Sequence, residues 1–351
     1  MLRAGSCADL LAVVPYLLGF HPQESLVLLA LRRQRVELVA RVDLPGTGGD
    51  PTGENPVADT ASHLDDVRIL RQVADAARSV APEGVVLIGY STVVGRAESA
   101  LDAAVEEVAD LPLIEVLRAD GHRWWSRRCD EACCPAEGTP YVVETSRLAA
   151  EAVVAGLSAL PDRGELAALV AGPPPTEVAG LASDAESIRI ELARLSRPAR
   201  QQEMHRLVLG AVAAIGVPGS PTWPAVPDRD LSLRLAALAT DVHVRDVAWS
   251  LVDQPSFATH VALWQAVVAH APDRLALAPL CLVGIAAWVG GHGALMVCAL
   301  TRALEIDADY GMAQLLSDLN TAAVRPSLWE EVVGPLRAEL GLEPPAVPSG
   351  R

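Results

Sequence analysis

The sequence contains no lysine: all 28 of its basic side chains are arginine. That excludes a Walker A lysine, a Schiff base and a lysine general base. It also lacks any positive surplus, with 44 acidic residues and a net charge of -16. Residues 1–150 and 151–351 each carry 14 arginines against 22 acidic residues, so no basic tail or basic half stands out. Nucleic acid and anionic membrane are therefore not expected as partners, since both demand concentrated positive charge; only a local basic strip would reverse this. Six cysteines in 351 residues are too few for a disulfide scaffold. The apolar stretch 10–20 follows Asp9, has a single Arg3 before it and no small-x-small site after it, which does not read as a signal peptide. Together these features predict a cytoplasmic protein.

A length of 351 residues suggests two domains, or one domain with a helical extension. One segment raises the question of a membrane: residues 275–301 are 27 positions without Asp, Glu or Arg, long enough to span a bilayer. Pro279, Gly284 and Gly290-Gly291-His292-Gly293 interrupt it, and two short buried helices joined by that glycine turn fit better.

The first part of the chain alternates strand and helix patterns. Asp9 is a candidate cap for a helix over 10–18, ended by Gly19. Residues 25–31 and 36–44 are apolar runs around the charged turn 32–35, which reads as a hairpin. A Gly/Pro-rich loop is expected over 45–60. Leu64, Val67, Ile69, Leu70, Val73 and Ala77 recur at helical spacing, and Val85-Val86-Leu87-Ile88 then reads as a strand buried on both faces. A helix over 96–110, a strand over 113–117, the turn Asp120-Gly121 and an antiparallel strand over 123–126 complete an α/β pattern. The prediction is a mixed sheet with helices over 1–145, carrying a Cys-rich loop at 129–138.

After about Thr145 the spacing is purely helical, so an all-helical domain is expected over 146–342 and a flexible tail over 343–351. Ser183-x-x-Glu186 and Ser327-x-x-Glu330 read as capping boxes. Near 275–320, the residues Ala286, Trp288, Gly290, Ala294-Leu295, Ala299, Ala303-Leu304 and Asp307-Ala308-Asp309-Tyr310 resemble the latter part of one tetratricopeptide-type helical pair and the start of the next. No period of about 34 residues repeats elsewhere.

Pro15-Tyr16-Leu17-Leu18-Gly19-Phe20-His21-Pro22, then Ser25, then Arg41-Val42-Asp43-Leu44-Pro45, resemble an actinobacterial family, domain of unknown function 4192. The resemblance runs on through Trp124-Trp125-Ser126, Cys129, Cys133-Cys134-Pro135, Gly138 and the Ala286 to Gly290 region, and so covers most of the chain. It implies no activity, and no catalytic residue is transferred by it. A composition rich in arginine and alanine and free of lysine agrees with a GC-rich actinobacterial genome.

Four constellations could carry chemistry. Cys129, Cys133 and Cys134, with His122 upstream, supply four ligands of the kind a tetrahedral structural zinc takes. Nearby Arg123, Arg127 and Arg128 would instead favour a reactive thiolate, and local packing or a loop disulfide is the third reading. His21, Ser25 and Asp43 form a Ser/His/Asp set by type only. Arg41 and Asp43 alternate on one strand and share a face, so they pair with each other or one of them meets an anionic ligand. Gly89-Tyr90-Ser91-Thr92 lies at a strand end, where open α/β sheets bind ligands, but Val93 breaks the nucleophile-elbow pattern and no dinucleotide fingerprint is present. Trp249, Trp264, Trp288 and Trp329 are expected to pack between helices.

The sequence thus favours a binding or scaffolding module with a protein partner on its helical domain. The rival is an enzyme of hydrolase or transferase type, its site at the strand ends from His21, Ser25, Arg41, Asp43, Tyr90 and Ser91. Convergence of those side chains would favour the enzyme, dispersal the scaffold.

Overall fold

The computed structural model describes residues 6–33, 35–44, 56–129, 134–143, 146–154, 157–216 and 223–342. The chain divides into two compact units, Met1–Arg163 and Gly164–Arg351.

The first unit is built on a mixed six-stranded sheet of order β2-β1-β3-β4-β5-β6. Its elements are α1 (Cys7–Leu18), β1 (Ser25–Arg32), β2 (Arg35–Asp43), α2 (Pro56–Ser79), β3 (Gly84–Tyr90), α3 (Val94–Glu107), β4 (Leu113–Ala119), β5 (Arg123–Ser126), β6 (Thr139–Pro140) and α4 (Arg147–Val154). Only β3 and β4 pair in parallel; the other neighbours are antiparallel. Every residue of β3 is buried, as its continuous apolar run requires. On one face, Leu26, Leu28 and Ala30 of β1 and Val85 and Leu87 of β3 meet Ala74 and Ala77 of α2 and Ala100, Leu101 and Ala104 of α3. The small alanines let both helices lie close to the aliphatic sheet.

Three local expectations are corrected. Ser6, not Asp9, caps α1: its hydroxyl accepts from the Asp9 N–H at 3.2 Å, and Gly19 ends the helix at φ 82 as expected. Both residues can cap, and the earlier one lets the helix start a turn sooner. The loop expected over 45–60 gives way to α2 at Pro56, whose fixed φ suits a first helical position, while 45–55 lies outside the described residues. The first unit also runs on past Thr145, because α4 buries Leu148, Ala149 and Ala152 and packs against α1, and Phe20 bridges Leu160.

The second unit is helical throughout its described residues, from α5 (Arg163–Ala168) at the boundary through α6 (Pro175–Leu192), α7 (Arg197–Ile215), α8 (Arg229–Leu238), α9 (Val242–Ser250), α10 (Phe257–His270), α11 (Leu277–Val289), α12 (Gly293–Ile306), α13 (Gly311–Thr321) and α14 (Trp329–Glu339). The apolar segment 275–301 therefore forms two helices, α11 and α12, around the Gly290 to His292 turn. Among the described residues no helix is long and apolar enough to cross a membrane. All 13 residues of α11 are buried, and α9, α10, α12 and α13 pack around it. A helix apolar on every side must sit inside such a jacket. Ser183 and Glu186 fall in mid-α6 and cap nothing, since Pro174-Pro175 already starts that helix. Trp264 is fully buried, and Trp329 lies 5.5 Å from Trp249 and 5.9 Å from Trp288, which places the four tryptophans between helices as expected.

Close approach explains Gly290. A Cβ there would stand 2.1 Å from the Phe257 ring, so Gly290→Ala must push that ring aside. The variant is expected to lose about 2 kcal/mol of stability, read as a lower urea midpoint with an unchanged m-value; an unaltered midpoint would show that Phe257 moves freely.

Candidate functional site

One row of directly opposed residues crosses the whole sheet: Asp43 on β2, Ser25 on β1, Tyr90 on β3, Ala119 on β4, Trp124 on β5 and Thr139 on β6. Opposed residues share a face, and this is the face turned away from α2 and α3. The row lies at the carboxyl end of the parallel pair β3 and β4, the usual ligand edge of an α/β sheet.

At one end of the row the buried charge is neutralised locally. Arg41 donates from Nε to Ser25 Oγ at 2.8 Å and meets the Asp43 carboxylate at 2.5 Å. Its guanidinium also lies 5.7 Å from the centre of the Phe20 ring. Ser25 Oγ in turn donates to the Gln23 carbonyl at 2.5 Å, and Arg163 approaches Asp43 at 3.5 Å. Of the two readings of Arg41 and Asp43, the mutual ion pair is the one found. The His21 backbone N–H donates to the Leu160 carbonyl at 2.9 Å, and among the described residues no hydrogen bond joins its imidazole to Ser25 or Asp43, so the Ser/His/Asp set does not assemble as a triad.

Ser91 follows Tyr90 and so points to the opposite face. Its hydroxyl donates to the Glu24 carboxylate at 2.9 and 3.0 Å and accepts from the Val93 N–H at 3.0 Å. Arg96, in the first turn of α3, completes the group at 2.9 Å from Glu24. Glu24 holds φ 41, a conformation that favours glycine, and the Leu44 N–H donates to its carbonyl at 2.9 Å. Glu24 and Arg96 were not legible as site residues, because nothing in a Gln-Glu-Ser sequence announces a left-handed residue.

Two buried polar atoms in the row have no hydrogen-bond partner among the described residues: Tyr90 Oη and Trp124 Nε1. They flank the small Ala119, one strand to either side. Burial, and secondarily the charge on Tyr141, pushes the Tyr90 phenol well above its ordinary value, so it stays a neutral donor. Burial likewise raises Tyr141 to about 12, with Asp120 adding to the shift. The row thus buries two donors that no described residue satisfies.

Around β5, Arg118 stacks 3.5 Å from the Trp125 ring centre and faces Glu98 at 3.5 Å, while Arg127 meets Glu98 at 3.0 Å and Asp102 at 2.6 Å. Gly138, at φ 80, lets the following segment cross Trp125 so closely that a Cβ would stand 2.4 Å from the ring. Of the proposed zinc ligands, His122 is exposed, its N–H donating to Asp120 at 2.9 Å; Cys129 and Cys134 are half-buried, and Cys133 lies outside the described residues. Among the described residues no three His, Cys, Asp or Glu side chains stand together as a metal site. Cys7 contacts Glu115 at 3.7 Å, and burial with that carboxylate raises its thiol to about 11, which makes it a poor nucleophile.

The family profile described as domain of unknown function, DUF4192, matches residues 8–327. The chain belongs to this family. No curated protein and no solved structure matches it. In this DUF4192 chain the match spans both the sheet row and the α11–α12 pair.

Proposed function

We propose that this chain is a cytoplasmic, actinobacterial recognition module that binds a protein partner through its helical unit. The observation that carries the reading is dispersal. Ser25, Arg41 and Asp43 are bonded to one another on one sheet face, Ser91 is bonded to Glu24 on the other, and His21 stands apart from both networks. Support also comes from α6 and α7, which bury single stripes, Leu181, Ala185, Ile188 and Leu192 on one and Met204, Val208, Ala211 and Ile215 on the other. Their remaining faces are available for contact, with Leu209 and, on α13, Leu315 exposed. The α11–α12 pair, where Gly284 admits Leu300 to a would-be Cβ distance of 3.3 Å, is the portion similar to a tetratricopeptide unit.

The test is a photo-crosslinking side chain placed at Leu209 or Leu315 of the full chain in cells, with Val154 of the first unit as control. The expected result is one discrete adduct from a helical-unit position and none from Val154. A hydrolytic or transfer activity abolished in Ser91→Ala, with no adduct from the helical positions, would replace this reading by the rival enzyme. That rival rests on Ser91 beside the Glu24 carboxylate and on the Tyr90 and Trp124 donors at the carboxyl edge of β3 and β4.

A further inference from the structure

The hairpin between β1 and β2 ends in arginines on an otherwise acidic chain. Arg32 and Arg35 are directly opposed across the two strands, and Arg33 lies in the two-residue connection between them. Like charges at opposed positions repel. All three side chains are exposed, so burial does not compensate for the repulsion. Among the described residues none of the three makes an ion pair, whereas most other arginines of the chain do.

Arg33 is also held in place. Arg33 adopts φ 50, where a glycine would sit without strain. Glu83 clamps it: its carboxylate accepts from the Arg33 N–H at 2.8 Å, and its own N–H donates to the Leu31 carbonyl at 2.8 Å. Arg32, Arg33 and Arg35 together line one open surface hollow, and Glu37 lines it too. Three exposed arginines lining one hollow match what binds phosphate, because each guanidinium presents a planar fork of donors.

We propose that this tip binds a compact phosphate-class anion, a ligand carrying two linked phosphoryl groups. Compactness follows from the charge distribution. An extended polyanion such as nucleic acid needs a basic track, and an anionic membrane needs a larger basic cluster, whereas here the acidic surplus begins as soon as the tip ends. Glu37 on the rim disfavours binding of anions that spread beyond the three arginines.

Sodium pyrophosphate titrated calorimetrically into the full chain at low ionic strength tests the site. One binding site is expected, weakening steeply as salt rises. The double variant Arg32→Gln, Arg35→Gln should bind at least tenfold more weakly, while Arg194→Gln, an exposed arginine of the other unit, should bind as the parent does. Thermal unfolding guards against misfolding: without ligand the double variant should melt no lower than the parent, since cross-strand repulsion is relieved, and pyrophosphate should raise the midpoint of the parent only. No pyrophosphate binding, equal affinity in the double variant, or tighter binding of duplex DNA or a glutamate-rich peptide at the tip would each overturn the proposal.

Discussion

Arg337→Ala is expected to destabilise the helical unit by about 3 kcal/mol, the cost of stripping a buried charged donor from the carbonyls it satisfies. Arg337 lies on α14 and is buried. It donates to the Ser250 carbonyl at 2.7 Å and the Val252 carbonyl at 3.0 Å, where α9 ends and its last carbonyls lack helical partners. Glu330, 2.7 Å away, balances the charge from a more exposed position. Trp329 adds a second tie, its Nε1 donating to the Val252 carbonyl at 2.8 Å. Without the guanidinium, that tie and the apolar contacts are what hold α14 among the described residues. Urea unfolding followed by tryptophan fluorescence reads the effect, since Trp249, Trp288 and Trp329 report on this junction. Arg337→Met preserves the aliphatic stem and should recover less than half of the loss. A change below about 1 kcal/mol in Arg337→Ala would mean that water replaces the guanidinium at those carbonyls.

A comparable effect is expected from acid acting on His260. This residue of α10 is 2% exposed, and burial pushes its pKa down to about 4, against weaker opposition from the Asp253 charge and the Leu251 carbonyl. The folded imidazole therefore stays neutral while the unfolded chain takes up a proton below about 6.5. In that window the unfolded state binds more protons, so stability is fully present above about pH 6.5 and is lost as pH falls toward 4. The slope approaches about 1.4 kcal/mol per pH unit, for a loss of about 3 kcal/mol across the window. His292, also lowered by burial, acts with the same sign. Carboxylates lowered by their arginine partners, such as Glu191 beside Arg234, lose their contribution only nearer the ordinary carboxylate range. His260→Met should flatten the profile between pH 6.5 and 4.5. An unchanged slope in that variant would place the acid sensitivity elsewhere.

Several features of this DUF4192 chain were legible because one physical rule dominated locally. The run Val85 to Ile88 is continuous and apolar, which only a strand covered on both faces tolerates, and β3 is such a strand. Alternation along 36–44 put Arg41 and Asp43 on one face, and their pairing follows from the cost of leaving the largely buried Arg41 charge alone. The glycine turn at 290–291 split a span-length apolar segment into α11 and α12.

Other features depended on what lay across space. Glu24 becomes a hub only because β3 brings Ser91, and α3 brings Arg96, to its carboxylate. Trp124 reads as an ordinary strand aromatic until the pairing of β4 with β3 and β5 sets it two strands from Tyr90, across Ala119. The three hairpin arginines look like a solvated turn until register opposes Arg32 to Arg35, with no ion pair to any of the three among the described residues.

By itself the sequence determined the element types, the change from sheet to helix and the chemistry that a lysine-free, acidic chain forgoes, because these depend on periodicity and composition along the backbone. Tertiary structure alone decided which side chains meet: that α4 joins the first unit, that the strand-end residues divide between two faces, and that Arg337 caps a helix remote in sequence. Register and packing act between segments dozens of residues apart, and no local pattern encodes the distance across a sheet or between helices.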